Sequence, residues 1–154
     1  MTRPDGSRRP LSIIVDLDGT LCDTTHRQHF MSSKPKDWVG FYNGIPFDDL
    51  NVWCYEIVKS FESAGYEIVF VTGRPEEHMP ATTKWLQTCM LSHHSLFMRQ
   101  TGDYRKDCDV KIEIFLNKIH PLFDVLFCVD DRKQVVDMWR EIGLTCLQCA
   151  PGDF

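Results

Sequence analysis

Short apolar runs of strand length alternate along this chain with longer segments whose apolar residues recur every three or four positions. The runs predict five strands, at 11–15, 68–71, 95–98, 125–129 and 144–148. The periodic segments predict helices over 49–64, after Pro80, over 112–119 and over 135–142. Strands that alternate with helices are typical of βαβ units with right-handed crossovers. The predicted fold is therefore α/β, a Rossmann-like three-layer sandwich around a parallel sheet of about five strands.

The chain has 154 residues, a length that suits one domain, which we expect to span 11–154 after a disordered tail over 1–10. No window approaches the roughly 20 consecutive apolar residues that a membrane span needs. The first ten residues contain no apolar run of a secretory signal, and the seven cysteines are an odd number. These features favour reduced thiols and a cytoplasmic location. The net charge of −5 argues against a protein that coats nucleic acid with a broad basic face. It does not argue against a protein that binds one phosphate at the end of a nucleic-acid strand.

Three of the predicted strands end in polar residues of a particular kind. They are followed by Asp16-Leu-Asp-Gly-Thr20, Thr72-Gly-Arg74 and Asp130-Asp131. In sheets of this type, ligands bind beyond the carboxyl ends of the strands, so these side chains should converge there. We expect Lys111, at the start of the helix that follows Asp107 and Asp109, to reach the same edge.

Several carboxylates packed together without a counter-charge repel one another, and some of them take up protons. A divalent cation removes this conflict, and oxygen donors without histidine or cysteine point to Mg²⁺ together with a substrate phosphate. Lys111, Arg74 and the backbone N–H groups of Gly19 and Thr20 can then face phosphate oxygens. One aspartate can attack phosphorus to form an aspartyl phosphate, while a second, two residues on, acts as acid and base. The residues therefore favour phosphoryl transfer.

The order and spacing of these motifs resemble those of the haloacid dehalogenase superfamily of phosphohydrolases. The resemblance covers nearly all of the chain after Pro10 and rests on 16–20, 71–74, Lys111 and 130–131. It implies that Asp16 is the nucleophile and Asp18 the general acid/base. Thr72 would donate a hydrogen bond to the transferred phosphoryl group, and Lys111 would stabilise its charge. Lys106 competes with Lys111 for the last role, but the spacing to Asp130 favours Lys111.

The same resemblance implies how a Mg²⁺ ion would be held. Its protein ligands would be Asp16, Asp130 and the backbone carbonyl of Asp18. Asp131 would lie outside these direct ligands and orient bound water or Lys111.

A narrower resemblance, to the 3′-phosphatase domain of phage polynucleotide kinase-phosphatases, lies mainly in the second half of the chain. The matching stretches are 102–107, 111–115, 130–140 and 152–154. Arg27, Arg74 and Asp107 also match functional positions of that domain. We therefore expect six residues to bind substrate: Gly19, Thr20, Arg27, Gly73, Arg74 and Asp107. No glycine here is followed by lysine, so the GxxxxGK[ST] loop of a kinase half is absent from this chain.

The intervals that hold a large cap domain in many relatives are short here. The segment from Leu21 to Asp49 has only 29 residues, and 75–95 is mostly accounted for by a helix. An uncapped site can admit a bulky DNA or RNA 3′ end, so we expect a polynucleotide 3′-phosphatase that acts in end repair. Two interpretations of Trp38, Phe41 and Tyr42 stay open: the buried side of a short helix, or a platform that stacks a terminal base.

Other functions and sites stay open or are disfavoured on the sequence. Openness of the site also fits a phosphatase of small esters or nucleotides. A receiver-type signalling domain shares the Mg²⁺ and aspartyl-phosphate chemistry, but the order of the acidic motifs here favours the hydrolase. The Cys146/Cys149 pair has thioredoxin-like spacing, but it lies at the last predicted strand instead of at a strand-to-helix turn. A redox or zinc role is therefore disfavoured. The histidines, including His93 and His94, lack metal-ligand spacing and are expected to be solvated.

Overall fold

A parallel sheet of five strands forms the centre of the computed structural model, which describes residues 5–152. Together with one short hairpin, the strands are β1 (Leu11–Val15), β2 (Cys22–Asp23), β3 (Asp49–Leu50), β4 (Glu67–Pro75), β5 (Ser95–Arg99), β6 (Asp124–Asp130) and β7 (Cys146–Gln148). The order in the sheet is β5-β4-β1-β6-β7, and every neighbouring pair runs parallel. The predicted α/β fold with about five parallel strands is thus confirmed.

Helices cover both faces of this sheet. They are α1 (His29–Ser32), α2 (Trp38–Asn43), α3 (Val52–Ser63), α4 (Met79–Thr88), α5 (Asp107–Ile114) and α6 (Lys133–Glu141). A π-helical turn, Phe115–Ile119, extends α5, and 3₁₀ turns occupy Thr25–Arg27, Ile45–Phe47 and Glu76–His78. The short elements between β2 and β3 replace a large cap, as predicted.

Successive residues of a strand point to opposite faces of the sheet, and this alternation creates two separate apolar cores. Ile13 and Val15 face a core completed by α3 and α4, which contribute Val58 and Trp85. Ile14 faces the other core, under α5 and α6, where Trp139 is fully buried. Most of the periodic apolar residues of the helices are thus buried in these cores. Trp53, on the apolar stripe of α3, is 43% exposed, and Leu116 and Met90 are also exposed.

Two helix starts differ from the sequence prediction. Helix α3 begins at Val52, three residues later than expected, because Asp49 pairs in β3 with Asp23 and Asp48 is drawn into the protein interior. Helix α5 begins at Asp107, so Lys111 lies in its second turn instead of opening it. The acidic first turn of α5 suits the positive end of the helix dipole.

The segment predicted to be a tail is partly held against the domain. Arg9 is buried, and its guanidinium lies 2.6 Å from Asp124 Oδ1 and contacts the carbonyl of His120. Residues 1–4 of the predicted tail, and residues 153–154 of the stretch that resembles the phage domains, lie outside the described residues. Within 5–152, no helix is long and apolar enough to cross a membrane.

Candidate active site

The carboxyl ends of β1, β4 and β6 bring the predicted residues together around Lys111. The ammonium group of Lys111 donates to Asp16 Oδ1 at 2.8 Å and to Asp130 Oδ2 at 2.8 Å. Asp107 Oδ2, one turn earlier on α5, lies 3.6 Å from the same nitrogen. Lys111 is almost completely buried, so its charge is balanced by these carboxylates instead of by solvent.

Asp16, Asp130 and Asp131 each offer one carboxylate oxygen within 4.8 Å of the others. Burial raises the pKa of Asp16 well above its usual range; Lys111 opposes the rise, and Asp130 and Asp131 add to it. Burial and the neighbouring Asp130 also raise the pKa of Asp131 to about 6. These shifts reflect first the burial of the carboxylates and then the repulsion among them, and a nearby divalent cation favours the ionised forms. The all-oxygen donor set therefore fits Mg²⁺. Asp131, expected outside the direct ligands, lies within this group because it follows Asp130 directly at the strand end.

The side chain of Asp18 turns away from that group towards two buried arginines. Its Oδ1 accepts hydrogen bonds from Arg27 Nη2 at 2.6 Å and from Arg74 Nη2 at 2.5 Å. Burial alone would raise the pKa of Asp18, but the Arg74 and Arg27 guanidinium groups bring it down to about 2. Asp18 is therefore ionised at neutral pH and held in one orientation.

Asp48 completes this network, although nothing in the sequence indicated it as a residue of the site. It is buried behind the two arginines, with Oδ1 2.6 Å from Arg27 Nε and Oδ2 3.0 Å from Arg74 Nη2. Trp85 Nε1 donates to its backbone carbonyl at 2.8 Å. In the sequence, Asp48 and Asp49 look alike as helix caps before α3. Only the tertiary structure separates the buried member of the pair from the exposed one.

Replacing Asp48 by asparagine should weaken both folding and catalysis. The variant keeps the shape but, among residues 5–152, leaves Asp18 as the only anionic partner of two buried guanidinium groups. This should cost about 3–5 kcal/mol of unfolding free energy. Misplacement of Asp18 should lower phosphate release by up to about a hundredfold. Denaturant unfolding and phosphatase assays measure the two effects. Asp49→Asn, at the exposed neighbouring position, is the matched control; equal behaviour of the two variants would contradict this role of Asp48.

Arg27 and Arg74 were expected to contact substrate, but the structure directs their guanidinium groups elsewhere. Arg27 is fully buried, and Arg74 uses Nη1 to donate to Thr82 Oγ1 at 3.1 Å and its remaining nitrogens to hold Asp18 and Asp48. They lie behind Asp18 because two carboxylates there neutralise them. In this structure both arginines therefore position Asp18, and neither is directed at the open side of the site.

Of the other predicted substrate-binding residues, Gly19, Gly73 and Asp107 lie at the open side, whereas Thr20 is fully buried. The backbone N–H groups of Gly19 and Thr20, expected to face phosphate, donate instead to carbonyls of the same loop, at 2.9 and 3.0 Å. Gly19 has a φ of +81°, and a Cβ atom there would overlap the Asp131 carboxylate. A Cβ on Gly73 would likewise overlap Asp107. The side chain of Thr20 is close to the predicted nucleophile, with its Oγ1 3.4 Å from Asp16 Oδ2. The two glycines thus let the loop after β1 and the last residues of β4 approach the carboxylates closely.

A cleft of about 1120 Å³ opens above these residues. Its lining includes Asp16, Asp18, Thr72, Asp107 and Asp131, and also Lys36, Trp38, Tyr42, His78, Arg99, Tyr104, Lys106 and Arg132. The Trp38 and Tyr42 rings stack at 5.9 Å, and Tyr42 stacks on His78 at 4.3 Å. Phe41 instead is buried, with the Arg27 guanidinium 4.2 Å from the centre of its ring. The α2 aromatics therefore divide by exposure: Phe41 borders the cleft but is buried, whereas Trp38 and Tyr42 line it with side chains that retain solvent exposure.

Residues 10–154 match the family model of the polynucleotide kinase PNKP phosphatase domain. The chain is 29% identical over 143 residues to a candidate bifunctional polynucleotide kinase/RNA ligase of Autographa californica nuclear polyhedrosis virus; the match covers 92% of this chain and 19% of the viral protein.

Two solved structures extend the comparison. A chain in the Pnkp1/Rnl/Hen1 RNA repair complex is 34% identical, with a TM-score of 0.82 over 100% of this chain and 46% of that one. The haloacid dehalogenase-like hydrolase SP0104 from Streptococcus pneumoniae is 16% identical, with a TM-score of 0.65 over 91% of this chain and 84% of that one, and has the same fold. The chain spans less than half the length of the viral protein and of the repair-complex chain.

Proposed function

Because this chain belongs to the family of polynucleotide kinase PNKP phosphatase domains, within the haloacid dehalogenase superfamily, we propose that it removes 3′-phosphates from DNA or RNA ends. The resemblance predicted from the motifs is confirmed, and the chain is a phosphatase; the receiver-type alternative is not retained. The observation that carries the proposal is the position of Asp16. Its carboxylate lies beside Lys111 and Asp130 at the floor of an open cleft that has stacked aromatic rings on one wall.

We assign the reaction to the residues at the floor of the cleft. The Asp16 oxygen that does not accept from Lys111 attacks phosphorus; an acyl phosphate bond forms and the bond to the leaving oxygen breaks. Lys111 and the Thr72 hydroxyl stabilise charge on the transferred group. Asp18, which is ionised in the free protein, takes up a proton from solvent and transfers it to the leaving oxygen. It then accepts a proton from the water that releases phosphate, which regenerates Asp16.

Asp16, Asp130, Asp131 and the Asp18 carbonyl would hold Mg²⁺, which supplies charge neutralisation for the phosphate dianion. The low pKa of Asp18 is consistent with the second half of this reaction. An ionised Asp18 is ready to accept the proton of the attacking water.

The walls of the cleft support a nucleic-acid substrate. Trp38 is half-exposed and stacks on Tyr42, which leaves an aromatic face that a terminal base can cover. Lys36, whose ammonium lies 5.7 Å from the centre of the Trp38 ring, and the exposed Lys106 line the same cleft and can attract the backbone. Aromatic stacking beside cations is the usual combination for binding single-stranded ends. One relative lies in a complex described as acting in RNA repair, which agrees with a role at polynucleotide ends.

The experiment that tests this function compares phosphate release from four substrates with and without Mg²⁺. These are an oligonucleotide 3′-phosphate, the same oligonucleotide with a 5′-phosphate, a 3′-mononucleotide and an aryl phosphate. We expect the highest kcat/KM for the oligonucleotide 3′-phosphate and no turnover after chelation of divalent cations. Efficient turnover of the small esters alone would leave a phosphatase but overturn the polynucleotide substrate.

Replacing Trp38 by alanine should affect long substrates selectively. Stacking of a base on an aromatic ring contributes about 1–3 kcal/mol, so KM for oligonucleotide 3′-phosphates should rise about fivefold to a hundredfold. The kinetic constants for an aryl phosphate should not change, because that substrate is too small to reach the α2 wall. Trp53→Ala, at an exposed tryptophan that is not part of the cleft lining, is the control. Equal losses on both substrates would refute a stacking role.

A further inference from the structure

A second cluster of metal-ligating side chains lies at the opposite edge of the sheet from the cleft. Glu62 belongs to the last turn of α3, and His93 and His94 precede the amino end of β5. One carboxylate oxygen of Glu62 and one ring nitrogen of each histidine lie within 4.8 Å of one another. Glu62 Oε1 is 2.5 Å from His93 Nε2 and 3.0 Å from His94 Nε2.

The His94 ring points into this cluster without a hydrogen bond. Its side chain is only 6% exposed, although the sequence predicted a solvated histidine. Within residues 5–152, its Nε2 is buried and has no hydrogen-bond partner of regular geometry, and Glu62 Oε1 lies 3.0 Å away. A buried ring nitrogen left in this way costs free energy, and a metal ion that accepts its lone pair removes the cost.

The charge states of Glu62 and His94 suit a metal ion. Burial, and then the neighbouring His93, lower the pKa of His94, so its ring is neutral at physiological pH. Hydrogen bonds from Lys59 and His93 bring the pKa of Glu62 to about 2, so its carboxylate is ionised. Lys59 contacts the other oxygen, Oε2, and leaves Oε1 to the histidines. Metal ligands must be deprotonated, which Glu62 and His94 already are; a metal ion on His93 Nε2 would displace the proton that this nitrogen donates to Glu62 Oε1.

We propose that Glu62, His93 and His94 bind one Zn²⁺ ion, with water in the fourth position. Two imidazole nitrogens and one carboxylate oxygen are donors that zinc accepts, whereas Mg²⁺ prefers oxygen alone. His93 is 57% exposed, so the site opens to solvent on its side. The ion would join the end of α3 to the loop before β5 and would tie two elements of the same sheet face. This site is independent of the phosphatase reaction.

Zinc titration of the whole chain against a chromophoric chelator tests the site, in excess Mg²⁺ to occupy the catalytic carboxylates and with a non-chelating reductant. Wild-type protein should bind one equivalent of zinc that Glu62→Ala and His93→Ala each bind at least about tenfold more weakly. His29→Ala removes an exposed histidine elsewhere and should bind like wild type. Unchanged zinc affinity in both cluster variants, or no zinc bound by wild type at micromolar concentration, would overturn the proposal.

A second readout does not depend on counting equivalents of metal. Because zinc would bind the folded chain, it should raise the unfolding temperature of the wild type and of His29→Ala. The same addition should leave Glu62→Ala and His93→Ala unchanged. Both cluster variants replace side chains that retain solvent exposure, so they should fold without the metal. A zinc-dependent shift of equal size in all four proteins would place the ion elsewhere and contradict the assignment.

Discussion

Asp16→Asn should lose at least about a thousandfold in phosphate release, equivalent to roughly 4 kcal/mol of transition-state stabilisation. The amide cannot form the acyl phosphate that the ionised Asp16 carboxylate would form. Steady-state release of phosphate from an oligonucleotide 3′-phosphate and from an aryl phosphate measures the loss. Both substrates should be affected equally, because the nucleophile is common to them.

The folding of this variant separates lost chemistry from lost structure. Burial and nearby carboxylates raise the pKa of Asp16, so a neutral isostere should not lower the unfolding midpoint in the absence of divalent cations. Asp109→Asn, an exposed carboxylate of α5, should keep full activity. Substantial turnover by a folded Asp16→Asn protein would show that a different group attacks phosphorus.

Lys111→Met should damage stability as well as activity. The buried ammonium is the shared counter-charge of Asp16 and Asp130, and breaking a buried ion pair typically costs 3–5 kcal/mol, so we expect a loss of about that size. Removal of a charge donor from the reacting group should lower kcat by about a hundredfold to a thousandfold. Urea unfolding with and without Mg²⁺, together with kcat, measures both effects.

The response to Mg²⁺ distinguishes the two contributions of Lys111. A cation held by the carboxylates replaces part of the lost positive charge, so Mg²⁺ should recover stability in Lys111→Met more than it recovers kcat. Lys106→Met tests the competing lysine: because the exposed Lys106 lines the cleft just before α5, its loss should raise KM for an oligonucleotide but leave kcat unchanged. If Lys106→Met lost more activity than Lys111→Met, the identification of the lysine would be wrong.

The sequence predicted the sheet and the meeting of its motifs because both follow from short-range patterns. Apolar runs identify buried parallel strands, and the carboxyl ends of such strands share one edge, so the proximity of Asp16, Lys111 and Asp130 required only the strand assignments. Helix starts were less accurate. The acidic residues at 48–49 resemble a cap, yet the chain uses one in a hairpin and buries the other.

Contacts made by the segment between β2 and β3 were not predictable in the same way. Whether Arg27 is solvated or buried depends on where a turn of 3₁₀ helix places it, and its partner Asp48 is 21 positions further along. Neither residue lies on a periodic apolar pattern. The burial of His94 has the same origin, because it depends on packing against an element that ends some 30 residues earlier.

The strand order has a consequence for how this protein is made on the ribosome. The first strand to emerge, β1, becomes the middle of the sheet, and its second neighbour, β6, is synthesised more than 100 residues later. Until then one edge of a strongly apolar strand lacks its partner, a condition that invites pairing with other chains. Correct folding of this domain therefore depends on shielding that edge while the residues between β1 and β6 are synthesised.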